Sequence, residues 1–505
     1  MIAVAAAARG RRILTLLAAG ALLTLAFAPF GLWPLAVLCP AYLCWQLQGA
    51  GPREAAARGF WFGAGTFGAG TWWLYISVHI VGGASIWLTL ILILGLVALM
   101  ASYYALLGAL SAWLLPATGA WRWLAGLPAL WLVVEWWRGW FLTGFPWLSL
   151  GYTQTDTWLA GFAPVLGVYG VSGLLVWQAG ALIAAWQGSP RVRIAALAGS
   201  LLLWGGGLLL DRVQWTHPRG GAVPVALLQG AIPQDEKYQL DHLEPTKALY
   251  RALNDQTTGA QLIVWPESAV GEYANEMPHY LAEVQASSRQ RGSDVIMGVI
   301  RVADNGRDYF NSILALTANV EFYDKRHLVP YAEYFPVPGF VRRWLRLNNL
   351  PSEDFTAGGD YQAPLRAGTL TLAPSICYED GFGSAQLALV RQADALVNVT
   401  NDTWFGHSPA RYQHLQIARM RALETRRYML RAANDGESAI IGPRGELLAT
   451  APEYKAVILR GTVVPLAGLS PYTRTGNWPV LLLALGAVAA AGWWHQARAH
   501  PAKIP

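Results

Sequence analysis

The first 210 residues hold only three acids, Glu54, Glu135 and Asp156, set among long apolar runs. No soluble core of that size needs so little charge on its surface. Over all 505 residues, 54% are hydrophobic and 13% charged, which excludes an ordinary soluble protein. Crossing a bilayer takes roughly 20 apolar residues. The runs at 12–30, 32–49, 59–80, 86–114, 121–140, 161–187, 193–210 and 477–494 meet or approach that length. The sequence therefore predicts a polytopic α-helical membrane bundle over 1–210 with about seven helices, a soluble domain over 215–470, and a C-terminal transmembrane helix at 477–494.

Basic residues orient the spans, because short cytoplasmic loops are enriched in Lys and Arg. Arg9, Arg11 and Arg12 precede the first run, Arg53 and Arg58 follow the second, and Arg122 follows the fourth. Arg191 and Arg193 follow the sixth, and Arg498 and Lys503 follow the last. The intervening connections, near Gly31 and from Val81 to Ser85, carry no Lys or Arg. This alternation predicts both termini in the cytoplasm and the soluble domain on the outer, periplasmic face of a bacterial inner membrane. Ala26, Phe27 and Ala28 have the small-residue pattern of a signal cleavage site, but Pro29 and the later spans favour an uncleaved anchor. The asymmetry accounts for the net charge of +6. No basic stripe with interleaved aromatics suggests a nucleic-acid partner.

From 215 to 470 the pattern changes to short apolar β-rich runs at 223–230, 260–268, 294–302, 309–317, 370–379, 393–401 and 456–464. Helical stretches at 242–256 and 279–291 separate some of them. This is a layered α/β domain, whose chemistry belongs at strand ends. Glu267 ends one run, Lys325 opens "DKRHLVPYAEYFP", and Cys377 ends another. A carboxylate, an ammonium and a thiol so placed suit a base, an oxyanion stabiliser and a nucleophile. Taken singly, a strand-end Glu or a loop Lys is usually only solvated, and a lone Cys is usually a small buried hydrophobe. The other two cysteines, Cys39 and Cys44, lie in apolar sequence, which leaves Cys377 without an obvious partner.

"VWPES", "DKRHLVPYAEYFP", "SICYED" and "NVTNDTWFG" resemble the Glu, Lys and Cys motifs of the nitrilase superfamily. The membrane context narrows the likeness to the apolipoprotein N-acyltransferase family. "VEWWRGWFLTGFPWLSLGY" at 134–152 resembles that family's membrane signature, and "LLQGAIPQDEKY" at 227–238 resembles the start of its outer domain. The resemblance implies an αββα nitrilase-like domain carried by the helical bundle. It also implies N-acylation of the diacylglyceryl-cysteine that begins an apolipoprotein, with a phospholipid acyl donor and a thioester on Cys377 in a ping-pong cycle. Glu267 would be the base, and Lys325 would lower the thiol pKa and hold the oxyanion, with the Tyr378 N–H.

By the same resemblance Glu333 orients Lys325 or the amine, Tyr378 walls the acyl pocket, and Tyr238 takes the place of a lipid-contacting aromatic. Glu379 reads either as a site carboxylate or as an ordinary ion pair. Asn401, Asp402 and Trp404 either shape the pocket or form an Asx-bonded turn. Glu135 and Arg138, three residues apart in a span, read either as a head-group site or as an internal ion pair. The Gly- and Pro-rich stretch 348–364 predicts a mobile lid. The basic stretch 411–435 reads as a solvated helix face in preference to a phosphate site. No Cys/His spacing suggests a metal, no phosphate loop follows a strand, and no cofactor is expected. Two rival classes remain: a membrane-tethered amidase, told apart by water resolving the thioester, and a non-enzymatic scaffold, indifferent to Cys377→Ala.

Overall fold

The computed structural model describes residues 2–335, 339–347 and 354–499. The chain forms two compact units. One comprises residues up to Trp72, Leu90–Val213 and Thr475 onward, and the other Trp73–Thr89 and Gln214–Arg474. Residues 73–89, read above as the end of one span, a connection and the start of the next, thus join the second unit. There Trp73 meets the Phe405 ring edge-on at 4.9 Å, and the Ser77 hydroxyl donates to the Trp404 carbonyl at 2.7 Å.

The first unit is helical: α1 (Ile2–Leu23), α2 (Leu35–Gln46), α3 (Pro52–Gly70), α4 (Ile86–Leu114), α5 (Leu127–Arg138), α6 (Ala163–Gln187), α7 (Pro190–Asp211) and a last helix, Trp478–Ala499. Among the described residues, Ile86–Leu114, Trp158–Gln187 and Pro190–Asp211 are long and apolar enough to cross a membrane, and Leu35–Gln46 and Trp478–Trp493 are shorter apolar helices. The remaining expected spans are helical but interrupted. Helix α3 opens on Arg53, Glu54 and Arg58, and α5 has 12 residues including Glu135 and Arg138. Small residues let helices touch: Gly20 of α1 and Gly65 of α3 leave no room for a Cβ against the facing backbone.

Two arginines tie this unit together from within. Arg122, expected in a basic loop, is instead buried, donating to the carbonyls of Leu47, Ser111 and Pro116. Arg138 is buried over the Phe67 ring and donates to the carbonyls of Phe145 and Trp147 and to Ser149 Oγ.

The second unit is a four-layer α/β domain. Strand β1 (His217–Pro218) pairs with β14 (Leu466–Ala467). One six-stranded sheet contains β2 (Val223–Gln229), β3 (Leu262–Val264), β4 (Asp294–Val302), β5 (Tyr309–Leu316) and β6 (Val320–Asp324), with β13 (Val457–Val463) beside β2. The other contains β7 (Leu365–Ala367), β8 (Leu370–Ile376), β9 (Ala395–Thr400), β10 (Met429–Ala433), β11 (Ala439–Ile441) and β12 (Leu447–Thr450). Strands β2, β3 and β4 run parallel, as do β8, β9 and β10.

Strand alternation builds the layers, because successive side chains point to opposite faces. Val225 and Leu227 of β2 enter the core shared with Leu372, Val397 and Val399 of the other sheet. Ala226 and Leu228 face outward to Tyr250 of α8 (Leu240–Asp255) and Val284 of α9 (Pro278–Gln290). The short helix α10 (Gly339–Arg346) lies outside this pattern. On the far side, α11 (Gly383–Val390) and α12 (Ala410–Thr425) cover the second sheet through Leu389, Val390, Leu415 and Ala418.

Helix α12 corrects the reading of 411–435 as a solvated basic face. It is buried along nearly its whole length, and β10 follows it within the same stretch. Two of its arginines have acids as partners, Arg411 with Asp435 at 3.0 Å and Arg421 with Glu424 at 3.0 Å, while Arg419 donates to the Gly445 carbonyl. Of the expected lid, 348–353 lie outside the described residues. The described part is bonded to the surrounding loops, with N–H groups of Phe355, Thr356 and Gly358 donating to the carbonyls of Glu333, Tyr309 and Lys325.

Candidate active site

Parallel strands leave their C-terminal ends without a continuing partner, and loops from several strands converge there. Glu267 lies three residues beyond β3, Lys325 directly after β6, and Cys377 directly after β8. Lys325 is 1% exposed. Its ammonium lies 2.9 Å from Glu333 Oε1 and 3.8 Å from Glu267 Oε1. Burial alone would lower its pKa, but Glu333 and Glu267 outweigh that and hold it above the ordinary lysine value. Asn311 of β5 completes the cluster, its amide donating to Glu267 Oε1 at 2.7 Å and to Glu333 Oε1 at 3.0 Å. Glu333 Oε2 accepts from the Val329 N–H at 2.8 Å.

Glu267 is carried on a turn held from both directions. The Trp265 N–H donates to Ile296, the Ala269 N–H to Gly298, and the Gly298 N–H back to Pro266. A Cβ on Gly298 would sit 2.5 Å from Glu267 Cα, so β4 must present a glycine there.

Cys377 is half-buried and has φ +49°, the left-handed region that non-glycine residues seldom occupy. Burial raises the thiol pKa, Glu267 raises it further, and Lys325 opposes both without prevailing. Lys325 thus acts in the expected direction, but burial and Glu267 outweigh it and leave the thiol pKa above its ordinary value. The Cys377 carbonyl lies 3.2 Å from His414 Nε2, and that imidazole sits between Asp380 at 3.2 Å and Asp402 at 2.8 Å. Arg431 binds both carboxylates, at 3.4 and 2.8 Å.

Residues 19–181 match the family described as apolipoprotein N-acyltransferase N-terminal domain, and residues 224–465 match the carbon-nitrogen hydrolase family. An apolipoprotein N-acyltransferase of Methylococcus capsulatus is 42% identical over 483 residues, covering 95% of each chain. The chain belongs to the apolipoprotein N-acyltransferase family. A relative of the same name from Pseudomonas putida is 41% identical over 492 residues, covering 94% of this chain and 95% of its own. Among solved structures, a CN-hydrolase superfamily protein of Xanthomonas campestris aligns at 17% identity and a TM-score of 0.37, over 52% of this chain and 97% of that one. The chain is thus an acyltransferase with a nitrilase-like domain in its C-terminal half.

Several other expected residues of the acyltransferase have specific places. Glu379 is neither free nor ion-paired in the ordinary sense. Its oxygens accept from the N–H groups of Ile376, Arg326 and His327 and from the Tyr323 hydroxyl, joining the end of β8 to the loop after Lys325. The Tyr378 ring packs near Phe382 and His327, at 5.0 and 5.9 Å. Tyr238 is 49% exposed. Asn401 donates to Gln234 Oε1 and accepts from the Thr403 hydroxyl, while Trp404 is held through its carbonyl by Ser77.

Glu135 and Arg138 belong to the first unit. Glu135 accepts from the Leu150 N–H at 2.8 Å and lies 3.8 Å from Arg138, an internal tie between α5 and the 145–150 segment. Asn311 escaped the sequence reading, and so did the group of His414, Asp380 and Arg431. The one available signal for Asn311 was an amide in the middle of an apolar strand, where Asn is disfavoured.

Proposed function

We propose that the chain transfers an acyl group from a phospholipid to the α-amine of a diacylglyceryl-cysteine at the start of an apolipoprotein, through a thioester on Cys377. The observation that carries this reading is the buried cluster in which Lys325 bridges Glu267 and Glu333, beside a cysteine held in a strained conformation at a strand end.

Glu267 acts as general base. As Sγ attacks the ester carbonyl, the carboxylate takes its proton, which a thiol with a raised pKa would not release unaided. The developing oxyanion meets the Lys325 ammonium and the Tyr378 N–H. Collapse expels the lysophospholipid alkoxide, which takes the proton back from Glu267 and leaves the acyl thioester. The lipoprotein amine then attacks, Glu267 removes its proton, and the thiolate leaves and is reprotonated. Donor and acceptor use one site in turn, which gives ping-pong kinetics. Glu333 and Asn311 keep Lys325 and Glu267 aligned.

The reading extends to the cell. The bundle spans the bacterial inner membrane with both termini cytoplasmic, and the domain at 215–470 faces the periplasm. The test is the intact mass of the purified protein after incubation with phospholipid alone, beside Cys377→Ala. A hydroxylamine-sensitive gain of one acyl chain, absent from the variant, is the expected result. The same adduct on Cys377→Ala would overturn the assignment, and release of free fatty acid without transfer to a lipopeptide amine would favour an amidase-like hydrolase.

A further inference from the structure

Lys237 has no part in the steps above, yet it is fully buried against the base. Its ammonium donates to the main-chain carbonyl of Glu267 at 3.1 Å, and among the described residues that carbonyl is its one hydrogen-bond partner. No described carboxylate pairs with it directly. A buried ammonium held by a single neutral acceptor is costly, by several kcal/mol for the ion alone. A Met or Leu would fill the same space without that cost, so the charge itself requires a reason.

The charges of the site supply one. Glu267 and Glu333 share a single close cation, Lys325, so the buried cluster carries one negative charge in excess. The carboxylates that act on Lys237 are Glu267 and Asp435, and Asp435 is already paired with Arg411 at 3.0 Å. The excess negative charge of the catalytic cluster is therefore what remains for Lys237 to balance.

We propose that Lys237 is a positioning residue for the base: its ammonium fixes the Glu267 turn through the carbonyl and supplies the second positive charge that keeps the Glu267 carboxylate ionised. The proposal rests on Glu267 acting as base. Burial pulls the Lys237 ammonium down to about 8, against the opposing pull of Glu267 and Asp435. The charge is thus present near neutral pH and lost in mildly alkaline solution.

The test uses the full-length protein in detergent with phospholipid, reading single-turnover acylation of Cys377 by mass across a pH series. Lys237→Met should shift the acid limb of the rate profile upward by about one pH unit, so that acylation at the acid end slows about tenfold. Lys237→Arg should keep the wild-type acid limb, since a guanidinium supplies the same positive charge. A folded Lys237→Met with the wild-type profile would overturn the proposal. If that variant does not fold, Lys237→Gln, which keeps a donor without the charge, decides: the wild-type acid limb in that variant also overturns it. Glu267→Gln is run beside them, and normal acylation by that variant would refute the base assignment itself.

Discussion

Replacing Glu379 by Gln tests whether the ends of two strands must be clasped for Cys377 to react. One carboxylate oxygen accepts from the Ile376 N–H at 2.8 Å, and the other from the N–H groups of Arg326 and His327 at 2.8 and 3.2 Å. A glutamine amide nitrogen donates and cannot accept. The less costly orientation keeps the oxygen on Arg326 and His327 and turns the NH2 toward the Ile376 N–H. One buried backbone donor then has no acceptor, which costs about 1–3 kcal/mol. At about 2–4 °C per kcal/mol for a unit of this size, Tm should fall by about 2–12 °C. The larger effect should be on rate, because Ile376 directly precedes Cys377, the proposed nucleophile. A displacement of about 1 Å at a reacting atom costs on the order of 10²-fold. Single-turnover acylation and thermal unfolding, measured on the same preparation, check both figures. A Gln variant with wild-type acylation and Tm would show that the clasp is not needed and refute the reasoning.

Two further outcomes follow from buried charges. The Cys377 thiol is raised by burial and by Glu267, and lowered by Lys325; Glu267→Gln should lower the thiol pKa while acyl transfer fails, and Lys325→Met should raise it. The pH dependence of alkylation, read by mass, checks this, and a thiol that titrates higher in Glu267→Gln would sink the assignment of charges. For His414, burial alone would lower the imidazole pKa, but Asp380 and Asp402 prevail and hold it at about 9. Its unfolded value is about 6.5, so the contribution is complete below that pH, is lost as pH rises through 9, and amounts to about 3 kcal/mol. Wild-type Tm should fall over that window and His414→Gln should fall less; equal slopes would exclude a charged imidazole.

How much of this was legible in the sequence depended on where the decisive partner lay. Strands β2, β4, β5 and β9 sit within two residues of their apolar runs, because buried strands announce themselves by composition alone. Glu267, Lys325 and Glu333, which the fold brings together, could be singled out for a similar reason, each standing within a short recognisable motif, as does Cys377. Strand β10 was hidden inside a stretch read as a basic helix, because the acids that neutralise Arg431, Asp380 and Asp402, come from other segments. Asn311 and Lys237 were missed in the same way: nothing beside them in the sequence shows that the one bonds two carboxylates and the other the Glu267 carbonyl. Local reading stops at charge pairing. Glu267 and Glu333 draw on Lys325, and Asp380 and Asp402 on Arg431, through contacts that exist only in the folded chain. The more informative sequence signal for such a site is therefore a Lys or Arg inside an apolar run with no acid at pairing distance, since burial obliges it to find one elsewhere.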